Sequence, residues 1–413
     1  MSSGAAVKIL LHGLNYAPEE IGIGPYTTGL AEHLAAAGHS VSVIAGRPYY
    51  PAWRAWPGSS VGWTRRIENG VEVVRCPHFI PRNPSAWGRI LHHVTFALSS
   101  LVPVLARARR RPDIVIAIVP SMIASMVALA GARLGNAKLW LHVQDLEADA
   151  ALATGIAKRG SLLARAGLAL QVFILSRADL VTTISPQMER RLAQGTGGRA
   201  RLASLRNWAN HLDAIAEANA DDLRRDWNLE GQFVALYSGN LGRKQGLETV
   251  IDAARLLRSN ANISIIICGE GPSRTALEER AHDLANIRFL PLQPADDFAR
   301  LMRLADCHLL PQIADAADLV LPSKLPNMLG SGAPVVATVA AGTGVADELE
   351  DCGIIVPPGD AAALAQAIAR LDADSALRAR LGTNARERAR TRWTREAVLA
   401  DATRAVKLLA RAS

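Results

Sequence analysis

Residues 7–46 read VKILLHGLNYAPEEIGIGPYTTGLAEHLAAAGHSVSVIAG. A short apolar run leads into a turn rich in Gly and Pro. An amphipathic stretch follows, and then a second apolar run. Pro25 falls in the first turn of the predicted helix, where its missing N–H costs nothing, and Gly38 lies just past the end near residue 37. This is the pattern of a βαβ unit, and it predicts two parallel strands joined by a crossover helix. Further strand candidates lie at 71–75, 114–119, 138–143 and 180–184. Strands alternating with helices predict an α/β, doubly wound, mostly parallel sheet.

A second series starts at Phe233. FVALYSG precedes a helix over 247–257, and ISIIICGEGP precedes one over 274–284. IRFLPL, a helix near 297–304, DCHLLP, a short helix after Pro322, PVVATV and GIIVPPGD complete it. Each strand ends in a turn marked by Gly or Pro. The expected organisation is two Rossmann-like domains, at 1–195 and 233–390, with a polar linker and one helix over 196–232 and a final helix over 391–413. Two such sheets would set a cleft between their carboxyl ends, where open α/β sheets bind ligands.

The chain has 413 residues, 49% hydrophobic and 20% charged, which excludes general disorder and a disulfide-stapled mini-protein. Net charge is +8. Residues 1–185 hold 18 Lys and Arg against 10 Asp and Glu, whereas residues 186–413 hold 28 of each. The excess points to an anionic partner of the first half. Cys76, Cys268, Cys307 and Cys352 are scattered, so neither a zinc site nor a disulfide framework is expected, and a reducing cytosolic setting fits. The N-terminus lacks the basic region and long apolar core of a signal peptide. Residues 114–132 carry no charge, but Pro120-Ser121 divides them into strand and helix.

Chemistry is sought at the strand ends. In NYAPEEIGIGPY, Gly22 and Gly24 would admit a ligand close to backbone, or the segment is an ordinary βα loop. In SGNLGRKQGLE, Gly239 and Gly242 shape a turn while Arg243 or Lys244 could meet phosphates, unless both are solvated surface cations. CGEGPSR places Gly269 and Gly271 around Glu270 in a third such turn. In VLPSKLPNMLGSG, Ser323 reads as a helix N-cap beside Lys324, with Asn327 about one turn inside; the alternative is a capped core helix. LHVQDLEADA would project His142 and Asp145 from a strand end. Cys307 and His308 are adjacent, so on a strand they would face opposite ways, and no spacing recommends a metal. Finally, apolar residues recur at helical spacing over 90–105, followed by Arg107, Arg109, Arg110 and Arg111. That stretch is either a membrane-surface patch or a core helix with dipole-complementing arginines.

Taken in order, NYAPEEIGIGPY, GRPYYP, LHVQDLEADA, SGNLGRKQGLETV, ADCHLL and VLPSKLPNMLGSG resemble retaining, nucleotide-sugar-dependent glycosyltransferases of GT-B fold from family four, over nearly the full length. Within that family the chain is most similar to the WcaI-type colanic-acid fucosyltransferases. The resemblance implies that the second half binds the donor. Gly239 and Asn240 would line the turn under the diphosphate, with Arg243 and Lys244 supplying charge. Gly269, Glu270, Gly271, Leu292 and Gln293 would border the base, Ser323 and Lys324 would hold phosphate, and Asn327 would take the ribose position. Gly22, Gly24 and Tyr26 would form an acceptor and diphosphate loop, with His142 and Asp145 facing the transferred sugar. The family's E-x7-E pair is missing: Asn327 stands at the second Glu and Leu319 at the first, with Asp318 one residue off as a candidate replacement.

The resulting expectation is transfer from a nucleoside-diphosphate sugar, GDP-fucose or similar, with retention and without a cofactor or metal. The acceptor would be a polyprenyl-diphosphate-linked oligosaccharide in exopolysaccharide biosynthesis. The protein would be cytoplasmic and peripheral on the inner face of the cytoplasmic membrane, the partner that Arg107 to Arg111 would meet. A nucleotide-sugar 2-epimerase shares the two-lobed plan and is the first rival. A nucleic-acid binder fits the charge but lacks any recognisable module.

Overall fold

The computed structural model describes residues 6–20, 22–82, 85–145, 162–196, 201–313 and 321–411. They form two compact units, 1–207 with 398–413, and 208–397.

The first unit carries β1 (Lys8–Gly13), β2 (Ser40–Gly46), β3 (Thr64–Glu68), β4 (Val71–Cys76), β5 (Ile114–Val119), β6 (Lys138–Val143), β7 (Leu180–Thr183) and β8 (Leu202–Ser204), in the order β3-β4-β2-β1-β5-β6-β7-β8. β5 is buried at all six positions, IVIAIV, because helices cover both faces, so it lacks polar alternation. The helices Ala86–Ala108 and Met122–Gly135 pack closely. A Cβ on Gly131 would lie 2.7 Å from Val104 Cγ1. Among the described strands β3 alone runs antiparallel, paired to β4 through a turn at Asn69 and Gly70, both at positive φ (48° and 79°). That Asn-Gly pair is a hairpin signal, set between the exposed TRRIE run and β4.

The second unit carries β9 (Phe233–Ser238), β10 (Ile263–Cys268), β11 (Ile287–Leu290), β12 (Cys307–Pro311), β13 (Val335–Thr338) and β14 (Gly353–Val356), in the order β11-β10-β9-β12-β13-β14, with every pair parallel. Strand order reverses between β9 and β12, so a ligand is expected beyond their carboxyl ends.

One expectation changes. Residues 196–232 are not a linker. β8 extends the first sheet, and the helices Leu212–Glu217 and Asp221–Asp226 bury Ile215 and Leu223 in the second unit. Their short apolar content hid them. The C-terminal helical region consists of Ala361–Ala373, Ser375–Arg392 and Arg395–Ala410. Asp360 and Asp374 cap the first two, each accepting a backbone N–H at 2.8 Å. From Val398 the last helix belongs to the first unit, where Thr403 Oγ1 lies 2.9 Å from His33 Nε2.

Candidate functional site

In the second unit the ends of β9, β10 and β11 are stitched together. Gly239 N donates to Cys268 O at 3.0 Å, Gly269 N to Leu290 O at 3.1 Å, and Leu241 N to Glu270 O at 2.8 Å. The turns touch so closely that only glycine fits. Gly269 has φ +151°, and a Cβ there would sit 1.9 Å from Gly239 O. Arg274, absent from the sequence-based site, clamps the same turns. Its Nη1 donates to Gly269 O (2.8 Å), Leu290 O (3.1 Å) and Glu270 Oε1 (3.0 Å). It looks like a surface cation in sequence because two of its acceptors are backbone carbonyls, which no motif marks.

Lys324 lies against this platform. Its Nζ is 4.1 Å from the centre of the Tyr237 ring and would be 3.7 Å from a Cβ on Gly239. Tyr237 is fixed by its hydroxyl, which donates to Asn240 O at 2.6 Å. Burial pulls the Lys324 ammonium down to about 7 from its ordinary 10.5. A desolvated amine at the switch point of a parallel sheet is built to meet an anion. The structure corrects one detail. The helix Leu325–Ser331 starts with Lys324, not Ser323, at the N-cap, with no side-chain cap, because Pro326 sits at the second helical position. Ser323 is exposed one residue earlier. Asn327 lies within the first turn, with Oδ1 buried and without a hydrogen-bond partner.

The structure therefore brings together Gly239, Asn240, Gly269, Glu270, Gly271 and Lys324. Leu292 is exposed, and Gln293 Nε2 donates to Pro291 O at 2.9 Å beside Cys268 Sγ. Arg243 opens a short 3-10 turn and points to solvent. Lys244's side chain and Asp318 lie outside the described residues.

In the first unit, Gly22 (φ +75°) and Gly24 sit tight. A Cβ would lie 2.8 Å from the Tyr50 ring and 2.8 Å from Glu19 O, respectively. Glu19, absent from the sequence-based site, organises the loop. Its carboxylate accepts from Asn15 Nδ2 (2.8 Å) and from the amides of Tyr49 and Tyr50 (2.9 Å each), so it ties the turn after β1 to the turn after β2. An acidic residue in a loop reads as solvated; here it is 3% exposed. Tyr26 is half-buried in the helix Gly24–Ala36.

His142, expected to face a sugar, is instead buried in a polar chain. Gln144 Nε2 donates to its Nε2 at 2.8 Å, which leaves the proton on Nδ1, 2.9 Å from Thr182 Oγ1. Burial lowers its pKa to about 4, so the ring is neutral and both nitrogens are engaged. Asp145 follows at an exposed position. Arg107 is also corrected. It does not belong to a free basic patch, because its Nη2 donates to Glu72 Oε1 at 3.0 Å and both side chains are 11% exposed. Burial alone would raise the Glu72 pKa, yet the Ser42 hydroxyl and Arg107 hold it down at about 2. Arg109, Arg110 and Arg111 remain exposed, with Arg110 3.8 Å from Glu72.

Residues 219–388 match the family described as glycosyl transferases group 1, and residues 22–208 match the glycosyl transferase 4-like domain. The chain is 40% identical over 344 residues to WcaI of Escherichia coli K12, described as a colanic acid biosynthesis glycosyl transferase. That alignment covers 82% of this chain and 84% of the relative. Glycogen synthase of Mycobacterium tuberculosis is 26% identical over 396 residues, covering 92% and 90%. In shape, sucrose-phosphate synthase from Thermosynechococcus elongatus superposes with a TM-score of 0.69 at 20% identity, covering 98% of this chain and all of that one. Anabaena HepE in complex with UDP-glucose gives 0.61 at 17% identity, covering 97% and 99%.

Proposed function

The chain belongs to the GT-B glycosyltransferases of family four, and from that premise we propose that it moves a sugar from a nucleoside diphosphate to a polyprenyl-diphosphate-linked oligosaccharide in colanic-acid-like exopolysaccharide synthesis. The observation that carries the donor assignment is Lys324, desolvated over Tyr237 and beside Gly239 at the β9–β12 switch point. In this reading the diphosphate lies over the Gly239 and Gly269 turns, and Lys324 neutralises charge as the glycosidic bond breaks. The lysine supplies the stabilisation that a divalent ion gives elsewhere, so the reaction runs without a metal. The buried Oδ1 of Asn327 takes a hydroxyl of the ribose. Configuration is retained, with the departing diphosphate receiving the acceptor's proton.

The base and sugar are GDP and fucose in this reading, supported by the relative named for colanic acid biosynthesis. A thermal-shift panel of nucleoside diphosphates and nucleotide sugars tests this, because stabilisation follows affinity by mass action. GDP and GDP-fucose are expected to raise the melting temperature most. A larger shift with a UDP-sugar would replace the donor. Isomerisation of a sugar nucleotide incubated without acceptor would favour an epimerase over a transferase.

The acceptor's lipid implies the inner face of the cytoplasmic membrane. Support comes from the helix Ala86–Ala108, the single helix among the described residues long and apolar enough to span a bilayer. It exposes Trp87 (74%), Leu91, Leu98 and Val102 (72%), and Arg109 to Arg111 follow it. Such a face suits the headgroup boundary. Replacing Arg109, Arg110 and Arg111 with Gln is expected to weaken binding to anionic vesicles on the order of 100-fold, at ~1 kcal/mol per basic residue. Nucleotide binding should not change. Arg107→Gln should instead lower stability, because Glu72 would lose its buried partner.

A further inference from the structure

A cavity of about 630 Å³ opens in the first unit beyond the carboxyl ends of β2 and β4. Arg47 follows β2 directly, and His78 lies two residues after β4. Arg54 and Arg82 complete a ring of three guanidiniums, and Trp53 and Phe79 supply apolar wall. Among the described residues no carboxylate lines it, and none of the three arginines has an ion-pair partner. Three cations gathered without a counter-charge repel one another, so the arrangement is stabilised by an anion.

Two buried, unpartnered nitrogens sharpen this. Arg47 Nε has no hydrogen-bond partner, and neither has Nε2 of His78, a residue 8% exposed. His78 Nδ1 lies 3.3 Å from both the Arg47 amide nitrogen and Cys76 O, so backbone occupies it in either tautomer, and Nε2 is the ring nitrogen open to a ligand. Burial keeps that ring neutral by lowering its pKa to about 4. The wall is also rigid. Glu19 holds the amides of Tyr49 and Tyr50, and Trp53 packs on Tyr49 with ring centres 5.3 Å apart. A pre-formed site loses less on binding.

We propose that this cavity binds the sugar-linked diphosphate of the acceptor, its phosphates on Arg47, Arg54 and Arg82 and its first sugar ring against Trp53. The inference rests on the transferase reading above and adds the acceptor's recognition site. A single carboxylate, as in an acidic sugar, would leave two of the three guanidiniums unpaired, whereas a diphosphate can engage all of them. The volume also lies within the range of small-molecule sites, about 300–1,000 Å³.

The test is calorimetric titration of the full-length protein with three water-soluble probes: a short-chain prenyl-diphosphate monosaccharide, the same prenyl diphosphate without sugar, and a prenyl glucuronide without phosphate. Arg54 and Arg82 are exposed at the rim, so the double variant R54Q/R82Q leaves the fold intact. It is expected to weaken the diphosphate sugar about tenfold per arginine, and R47Q about tenfold more. Trp53→Ala should weaken the diphosphate sugar but not the sugar-free diphosphate. K324M should leave all three affinities unchanged. Unchanged diphosphate affinity in R54Q/R82Q would overturn the proposal, as would selective loss of the glucuronide. GDP and UDP titrated in parallel read the transferase assignment separately, since failure there leaves the acceptor probes' result standing.

Discussion

Lys324→Met is expected to lower kcat/KM with a sugar nucleotide on the order of 100-fold or more, and to weaken nucleoside-diphosphate binding by a similar factor. The amine lies desolvated against Tyr237, so its charge is costly in the free protein and is compensated when an anion arrives. Truncating one member of a buried charge pair typically costs about 2–5 kcal/mol. The same lysine should make the free protein less stable than it could be. Its folded pKa, about 7, is below the ordinary 10.5, so the unfolded chain holds a proton that the folded chain has released between those values. Stability from this group therefore rises with pH from about 7 to 10.5, and is smallest below 7. Lys324→Met should raise the melting temperature at pH 7 while removing activity, a combination expected of a group kept for function. Thermal unfolding and steady-state transfer on the same preparation check both halves.

Gly269→Ala is expected to destabilise the protein by about 2–5 kcal/mol and to weaken donor binding in the molecules that remain folded. The added methyl would sit 1.9 Å from Gly239 O and 2.9 Å from Gly239 C, and φ is +151°, so overpacking and backbone strain add. Nothing flexible can give way, because the obstacle is backbone of the neighbouring turn. Relief requires β9 and β10 to part at their carboxyl ends, which moves Gly239 away from Lys324. Gly353→Ala is the matched control. Its Cβ would lie 2.1 Å from Val335 O, far from that platform, at the start of β14. It should lower the urea midpoint comparably yet leave nucleotide affinity of the folded protein intact. Equal loss of affinity in both variants would show that the Gly239–Gly269 contact has no special part in binding.

Most of the parallel core is legible in the sequence because its strands are short apolar runs closed by Gly or Pro. β5 and β6 fall on the expected residues, 114–119 and 138–143. The edges are not. β3, TRRIE, is mostly exposed, and β8 has three residues, so neither has the buried face that a periodicity argument detects. The donor platform is legible for a related reason: glycines at strand ends and a lysine two residues ahead of a proline are punctuation. What escapes is any role defined by long-range contact. Glu19 and Arg274 position loops through backbone groups remote in sequence, and Glu72 claims Arg107 from 35 residues away. The acceptor cavity is hidden likewise, since Arg82 joins Arg47 and Arg54 of the loop after β2 only because β2 and β4 are neighbours.

The most direct test of the central assignment is proton uptake on nucleotide binding. GDP and UDP would be titrated at pH 8 by calorimetry in two buffers of different ionisation enthalpy. A lysine with pKa about 7 is mostly neutral at pH 8, and a diphosphate beside it restores the proton. The account predicts uptake approaching one proton per nucleotide bound by the wild type, none by Lys324→Met, and an affinity that falls as pH rises above 7. Tight nucleotide binding with no proton uptake, or with the same uptake in Lys324→Met, would contradict it.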